Sequence, residues 1–313
     1  MSAPDRGQRA ERHGDVSLAV QVVIFQNPVA QLRRLAAAIG ATIRIARSER
    51  GLGEVAVRWG DCSPEPVLDD EVGAALARLV GDGVHVSTTW FGANLGSGGG
   101  SNALAALGDE DRLWVLNPDT YPAPSCASEL LAAVEPRDVA AADARQIPIE
   151  HPKSYDPTTG DTGWVSGACM MIDRVAFDAV GGFDDHFFPL YCDDVDLSWR
   201  LRLGGGRTVH APRAVVFHDK RPDADGGVRW SPHEARSSTL ARLWLTRRYG
   251  RPDLTAELVT ALERSTDDVQ RSIAHEFRTR EAAGDVPEVV SGAADVAHFV
   301  DGQYAPRRFS YLA

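Results

Sequence analysis

Short apolar, β-branched runs, each cut off by a polar residue and followed by a stretch with helical spacing, set the pattern of the first 120 residues. LAVQVVIFQN, starting at Leu18, stops at Asn27 and Pro28, and Leu32, Leu35, Ala36 and Ile39 then recur at helical intervals. EVAVRWGDCSPEP is a second strand running into a loop of Gly, Asp, Ser and Pro. The spacing predicts a helix over 69–80 and a strand over 84–90 (VHVSTTW). The glycine-rich stretch GANLGSGGGSNALAAL follows, then an apolar strand over 112–120 (RLWVLNPDT). Such alternation is the mark of an α/β domain with a mostly parallel sheet, because a helical crossover is what returns the next strand parallel. Ligands of open sheets of this kind gather at the carboxyl ends of the strands. Three of these strands end in candidate ligand groups: Asn27, Asp61 and the Asn117–Asp119 pair.

The second half is less regular. RDVAAADARQIPIE (137–150) reads as a strand with a loop, and the turn-rich YDPTTGDTG precedes an apolar strand, WVSGACMMID. A helix is expected near 173–180, and DDVDLSWRLRLGGG is a helix stopped by three glycines. RTVHAPRAVVFHDKRP is strand-like and ends at His218. SPHE at 231–234 is a capping box with Pro at the first helical position, opening a helix through Tyr249. A second long helix is expected from Asp253 to about Ala283. The expected division is a solvated tail over 1–16, a ligand-binding domain over 17–222 with halves at 17–120 and 121–222, and a helical extension over 223–313.

Composition narrows the function classes. The chain has 313 residues and a formal net charge of −11, which argues against a general nucleic-acid binder. No apolar run approaches the ~18 residues needed to span a bilayer. The opening MSAPDRGQRAERHGD has no apolar stretch behind it, so no secretory signal is expected. The four cysteines are scattered, with no C-x-x-C pair, as in a reducing compartment. The expectation is a cytoplasmic protein.

Four clusters can carry chemistry, and each has a plain structural alternative. In LNPDT, an Asp at the end of a buried strand can bind a metal or a ribose, but Asn-Pro-Asp also simply makes a turn. In YCDDVDLSWR, carboxylates crowded within four residues raise at least one pKa and suit general-base work. Equally, Asp193 and Asp194 favour a helix N-terminus, and Asp196 can pair with Arg200 one turn on. His218 closes AVVFH as a ligand or as a satisfied histidine. NLGSGGGSNAL precedes a helix and could cradle a phosphate, but it matches neither the P-loop nor the dinucleotide fingerprint.

The order of these pieces resembles the family 2 glycosyltransferases, nearest the rhamnosyltransferase-like branch of GT-A enzymes. The series Asn27, GDCSP, NLGSGGGSN, LNPDT, SGACM, GGFDDHFF, YCDDVDLSWR, His218 runs from about Val20 to His218. The resemblance implies a GT-A-type, Rossmann-like, mostly parallel sheet flanked by helices. It implies an inverting transfer from a nucleoside-diphosphate sugar, UDP- or dTDP-linked, to an acceptor hydroxyl. Asp119 corresponds to the metal-binding position, with His218 as a second ligand for Mn²⁺ or Mg²⁺. Asp194 corresponds to the catalytic base, with Asp193 beside it. Phe25, Asn27, Asn94, Asn102 and Asn117 would line the nucleotide-sugar pocket. Gly60 stands where the family carries a base-contacting Asp, so Asp61 would substitute. Trp164, Ser166 and Gly167, with Gly182, Phe183 and Asp184, would form the donor–acceptor cleft. Lys220 and Arg221 could add positive charge near the diphosphate or be a solvated pair. Helix 231–249, with Arg236, Arg242, Arg247 and Arg248 beside Leu240, Leu243 and Trp244, suits weak association with a membrane surface, a partner or homodimer contact, or packing on the catalytic domain. The rival readings are a sugar-nucleotide phosphohydrolase or nucleotidyltransferase, and a non-catalytic nucleotide-sugar-binding protein.

Overall fold

The computed structural model describes residues 16–220, 231–300 and 302–305. The expected tail, apart from Val16, and Arg221 lie outside them. The elements run β1 (Leu18–Ile24), α1 (Val29–Arg50), β2 (Val55–Asp61), α2 (Asp70–Val80), β3 (His85–Trp90), α3 (Gly96–Ala105), β4 (Arg112–Leu116), β5 (Thr120–Pro122) and α4 (Cys126–Ala133). Then come β6 (Val139–Ile147), β7 (Cys169–Asp173), α5 (Arg174–Ala179), α6 (Asp193–Leu203), β8 (Arg207–His218), α7 (Pro232–Arg248), α8 (Pro252–Glu263), α9 (Asp268–Ala282) and α10 (Ala293–Val296).

Among the described residues one eight-stranded sheet has the order β3-β2-β1-β4-β7-β6-β8-β5. β3, β2, β1 and β4 run parallel, and so do β6 and β8, while β7 is antiparallel to both its neighbours. This is the expected mostly parallel α/β sheet. Its polarity brings the carboxyl ends of β1, β2, β4, β6 and β8 to the edge where β7 begins.

Helices cover both faces. The spacing of Leu32, Leu35, Ala36, Ile39, Ile43 and Ala46 lays one stripe of α1 on Val20, Val22, Ile24 and Trp59. On the other face Phe177, Phe183, Leu197 and Leu201 cover Ala19, Val115, Met170 and Ile172. The C-terminal helices build a third core on α6, where Trp199, Val195 and Phe188 meet Leu240, Leu243, Trp244 and Phe277.

The capping box at Ser231 and Glu234 forms as read, with both reciprocal bonds present. Three expectations are corrected. The expected helix from Asp253 to Ala283 is two helices, α8 and α9, because the Asp267 carboxylate caps a fresh start at the Val269 N–H. WVSGACMMID is a strand only from Cys169; Trp164 to Ala168 form the loop before it. The glycine-rich stretch is mostly helix α3 rather than a loop. Its glycines allow close packing: a Cβ on Gly100 would lie 2.7 Å from a Val23 methyl, and one on Gly98 3.2 Å from Phe183.

Candidate active site

The turn from β4 into β5 and the end of β8 meet in one corner. Register pairs Thr120 with His218, and the Asp219 N–H donates to the Asp119 carbonyl at 2.9 Å. The Asn117–Thr120 turn is closed by Thr120 Oγ1, which donates to the Asn117 carbonyl at 2.6 Å. The turn reading of LNPDT is what the structure shows, and that turn presents the Asp119 side chain. His218 Nε2 lies 3.2 Å from Asp119 Oδ2. The imidazole is buried while the Asp119 side chain is 36% exposed, so the carboxylate opens outward. On its other side His218 Nδ1 is 2.7 Å from Gln146 Oε1, and Gln146 Nε2 donates to Ser166 Oγ at 3.0 Å.

One carboxylate and one imidazole are donors that Mn²⁺ or Mg²⁺ accepts, nitrogen tilting the choice toward Mn²⁺. No group of three or more acidic, His or Cys side chains converges to hold an ion among the described residues. A cation held here by Asp119 and His218 keeps positions free for phosphate oxygens.

The second corner is the start of α6. Tyr191 and Cys192 enter it with φ of 68° and 56°, a left-handed backbone that non-glycine residues seldom adopt. This turn presents two carboxylates with different partners. Asp194 Oδ2 accepts the Gly167 N–H at 2.8 Å and its Oδ1 accepts its neighbour Val195 N–H at 2.8 Å. Asp193 Oδ2 accepts the Ser97 hydroxyl at 2.6 Å, across from the first turn of α3. Burial, then the charge of Asp194, pushes Asp193 up to about 7. Burial also raises Asp194, against the Gly167 N–H and the charge of Lys153, which pull it down. Carboxyls raised above their ordinary range by burial suit acid–base work. Asp196 has the structural role: fully buried, it accepts from Arg200 and Arg248, both at 2.8 Å.

The two corners are bridged by Ser166 and Gly167. Asp143, fully buried on β6, accepts the Ser166 N–H at 2.7 Å, His210 Nδ1 at 2.8 Å and the Lys153 ammonium. Burial opposes ionisation of Asp143, but Lys153 and His210 outweigh it and hold the carboxyl below its usual range. Sequence reading missed Asp143, Gln146, Lys153 and Ser97. For Asp143 and Gln146 the available signal was polar residues inside the mostly apolar strand AAADARQI, since buried polar groups must find partners.

The nucleotide side keeps some expected residues and loses others. Phe25 is 45% exposed, and its N–H donates to Asn27 Oδ1 at 2.9 Å. Next to it Gln26, at φ 55°, donates to Ser63 Oγ at 2.8 Å. The exposed Trp90 indole donates to the Ser63 carbonyl at 2.9 Å, adding a second ring that the sequence did not single out. Asp61 is corrected: it is fully buried, and its oxygens accept the N–H groups of Ser63, Val67 and Leu68. Its carboxylate builds the loop instead of facing a base. A side chain at Gly60 would meet the Phe91 ring at 2.7 Å, so an Asp there would have to displace that ring.

Asn94 turns its carbonyl oxygen onto the Gly96 N–H at 3.1 Å. Asn102 is corrected as a pocket residue: its amide clasps the Phe183 main chain, donating to the carbonyl and accepting the N–H, both at 2.9 Å. In the expected cleft, Ser166 and Gly167 hold the bridge described above. Trp164 and Phe183 are buried, so neither offers a face to a sugar; Trp164 lies under Lys153 and against Tyr304. Gly182, at φ 72°, packs against Asn102 and Phe177. Asp184 is paired with Arg248, which overcomes burial and holds its carboxyl below the usual range. The Lys220 N–H donates to the His218 carbonyl at 2.6 Å. On α7, Leu240, Leu243 and Trp244 are buried, Arg236 and Arg247 pair with Glu276 and Glu281, and Arg248 turns inward. Of the readings open for this helix, packing on the catalytic domain is the one the structure shows.

Comparison with known proteins adds identity to this geometry. Over 176 residues the chain is 30% identical to N-acetylglucosaminyl-diphospho-decaprenol L-rhamnosyltransferase of Mycobacterium tuberculosis, a match covering 41% of this chain and 57% of that protein. GalNAc-T7, solved with UDP, GalNAc and Mn²⁺, superposes with a TM-score of 0.58 at 13% identity over 87% of this chain and 56% of its own. This chain has the GT-A glycosyltransferase fold and is rhamnosyltransferase-like in sequence. The rhamnosyltransferase WbbL of Escherichia coli (strain K12) is 36% identical over 80 residues, 24% of this chain and 29% of WbbL. The chain thus spans little more than half the length of the mycobacterial relative. No protein-family model matches it. Within the GT-A fold, the two corners lie where strand ends meet the loop before β7 and the start of α6. No helix among the described residues is long and apolar enough to cross a membrane.

Proposed function

We propose that this chain is an inverting glycosyltransferase that moves a sugar from a nucleoside-diphosphate sugar to an acceptor hydroxyl. The observation that carries the reading is the shared edge: Asp119 with His218 in one corner, Asp193 with Asp194 in the other, and between them Ser166–Gly167, reached from His218 through Gln146 and bonded to Asp194. Asp119 and His218 would hold Mn²⁺ or Mg²⁺; when bound, that ion neutralises charge on the departing diphosphate. Phe25 borders the nucleoside. Asp194, oriented by the Gly167 N–H, takes the proton from the acceptor hydroxyl. The oxygen attacks the anomeric carbon on the face opposite the diphosphate, the C1–O bond to phosphate breaks, and the configuration inverts. The rhamnosyltransferase relatives support a deoxyhexosyl donor, and the motif resemblance points to dTDP or UDP as its carrier. The setting is the cytoplasm, where such donors are kept.

Product analysis tests this reading. Incubation with dTDP- and UDP-sugars and Mn²⁺ should release nucleoside diphosphate and form an inverted glycoside. Asp194→Asn should lower turnover by about 10²–10⁴-fold while leaving donor binding intact, the range of a lost general base. Release of sugar phosphate or pyrophosphate would instead identify a phosphohydrolase or nucleotidyltransferase. Loss of binding together with turnover would remove Asp194 from the base role.

A further inference from the structure

We propose that Gln146, on the inner strand β6, is the positioning residue that makes His218 a cation ligand. This deepens the reading above and rests on it. His218 has two ring nitrogens, and only Nε2 faces Asp119, at 3.2 Å. For Nε2 to offer a lone pair, the ring proton must sit on Nδ1, and a proton there needs an acceptor. Gln146 Oε1 lies 2.7 Å from Nδ1. The amide is only 1% exposed, so it has no water to turn toward. Its other end is anchored, Nε2 donating to Ser166 Oγ at 3.0 Å.

The anchor has a second consequence. Ser166 is fixed at its main chain by Asp143, and the next N–H, from Gly167, holds Asp194. Gln146 therefore lies on a bonded route between the cation corner and the base corner: His218 to Gln146 to Ser166, then along the chain to Gly167 and Asp194. Its place in the fold gives the route rigidity, since Gln146 pairs in register with Val216 of β8, two residues before His218.

Two measurements test the role, and one needs neither metal nor donor. Long-range ¹H–¹⁵N correlation of metal-free Asp119→Ala, which removes the carboxylate 3.2 Å from Nε2, reads across pH which His218 nitrogen Gln146 selects for the proton. The expected result is a proton on Nδ1; adding Gln146→Met, which fills the space without an acceptor, should lose that preference. A proton on Nε2 with Gln146 present and Asp119 absent would overturn the proposal even if the enzyme transfers sugar. The second measurement titrates Mn²⁺ alone and follows the free-ion signal by electron paramagnetic resonance. Gln146→Met should weaken Mn²⁺ binding by about tenfold or more, the usual cost of removing a partner behind a metal-bound histidine. Gln146→Glu keeps an acceptor at Nδ1 and should stay within about threefold of wild type on the same reasoning. Equal loss in both variants would mean that the residue only fills the strand. Failure of Mn²⁺ to bind the wild type would count against the cation site itself, leaving the tautomer to decide the part played by Gln146.

Discussion

Asp193 and Asp194 are adjacent in sequence yet held by different donors, a side-chain hydroxyl and a main-chain N–H, and their titration follows from that. The folded-state pKa of Asp193 lies above its ordinary value, at about 7. The folded protein thus holds an extra proton between the normal carboxylate range and about 7. The stability linked to it is fully present below that window and is lost as pH rises through it. Wild type should therefore melt lower at pH 8 than at pH 5, and Asp193→Asn should flatten the difference by several degrees in thermal unfolding at the two values. A variant that melts in parallel with wild type at both would contradict the burial argument. Asp61 gives a second prediction at this scale. Asp61→Ala leaves buried N–H groups of the 61–68 loop without their acceptor and should cost about 1–3 kcal/mol by denaturant midpoint, the penalty of orphaned donors. Chemistry-bearing residues were legible where a strand end or helix start exposed them, as at Asp119, His218 and Asp194. Asp61 and Asn102 were misread because sequence shows a polar group but not which way it turns; here both turn onto nearby main chain.

Helix α3 shows how an element can depend on what its residues lack. Alanine is the better helix former than glycine by about 1 kcal/mol, so propensity alone predicts that Gly100→Ala stabilises the protein. The Val23 methyls, 2.7 Å from where the new Cβ would sit, reverse the sign. We expect a loss of about 1–3 kcal/mol, as for other overpacked sites, measured by urea unfolding. A gain would show that α3 can lift from β1 at little cost. The glycine run could be seen in the sequence but not its purpose, since close approach to a strand some 75 residues earlier has no local signature. The split between α8 and α9 was missed for the opposite reason. Its signal was local, a single Asp267 cap within a polar stretch that can also continue a helix. Strand β6 was recognised as a strand, while the inward turn of Asp143 and Gln146 depends on partners from β8 and the 150–167 loop.

At the scale of the molecule, a buried arginine adds to the apolar core in tying α6 to the C-terminal helices. Arg248 of α7 pairs with Asp196 on α6 and with Asp184, and Tyr249 donates to the same Asp196 carboxylate at 3.1 Å. Arg248→Met should cost about 3–5 kcal/mol, because removing one partner leaves the buried carboxylates undercompensated. An unchanged unfolding midpoint would mean that Arg200 alone suffices for Asp196. The order of strands and helices could be read from periodicity, and the GT-A layout from the order of motifs. The docking of α7 was favoured by the acidity of the whole chain, but the inward turn of Arg248 could not be read, because arginines look alike on a solvated face and on a buried one. The account as a whole stands on the claim that a nucleoside diphosphate and a divalent cation share the Asp119–His218 corner. The direct test is thermal unfolding with UDP, dTDP, GDP or ADP, each with and without Mn²⁺, on wild type and Asp119→Ala. A nucleotide at 100 times its dissociation constant adds about 2.7 kcal/mol, enough to raise the midpoint by several degrees. The account predicts that at least one nucleotide stabilises wild type only with Mn²⁺, and that Asp119→Ala abolishes the effect. No shift with any nucleotide, or a shift indifferent to both Mn²⁺ and Asp119, would contradict it.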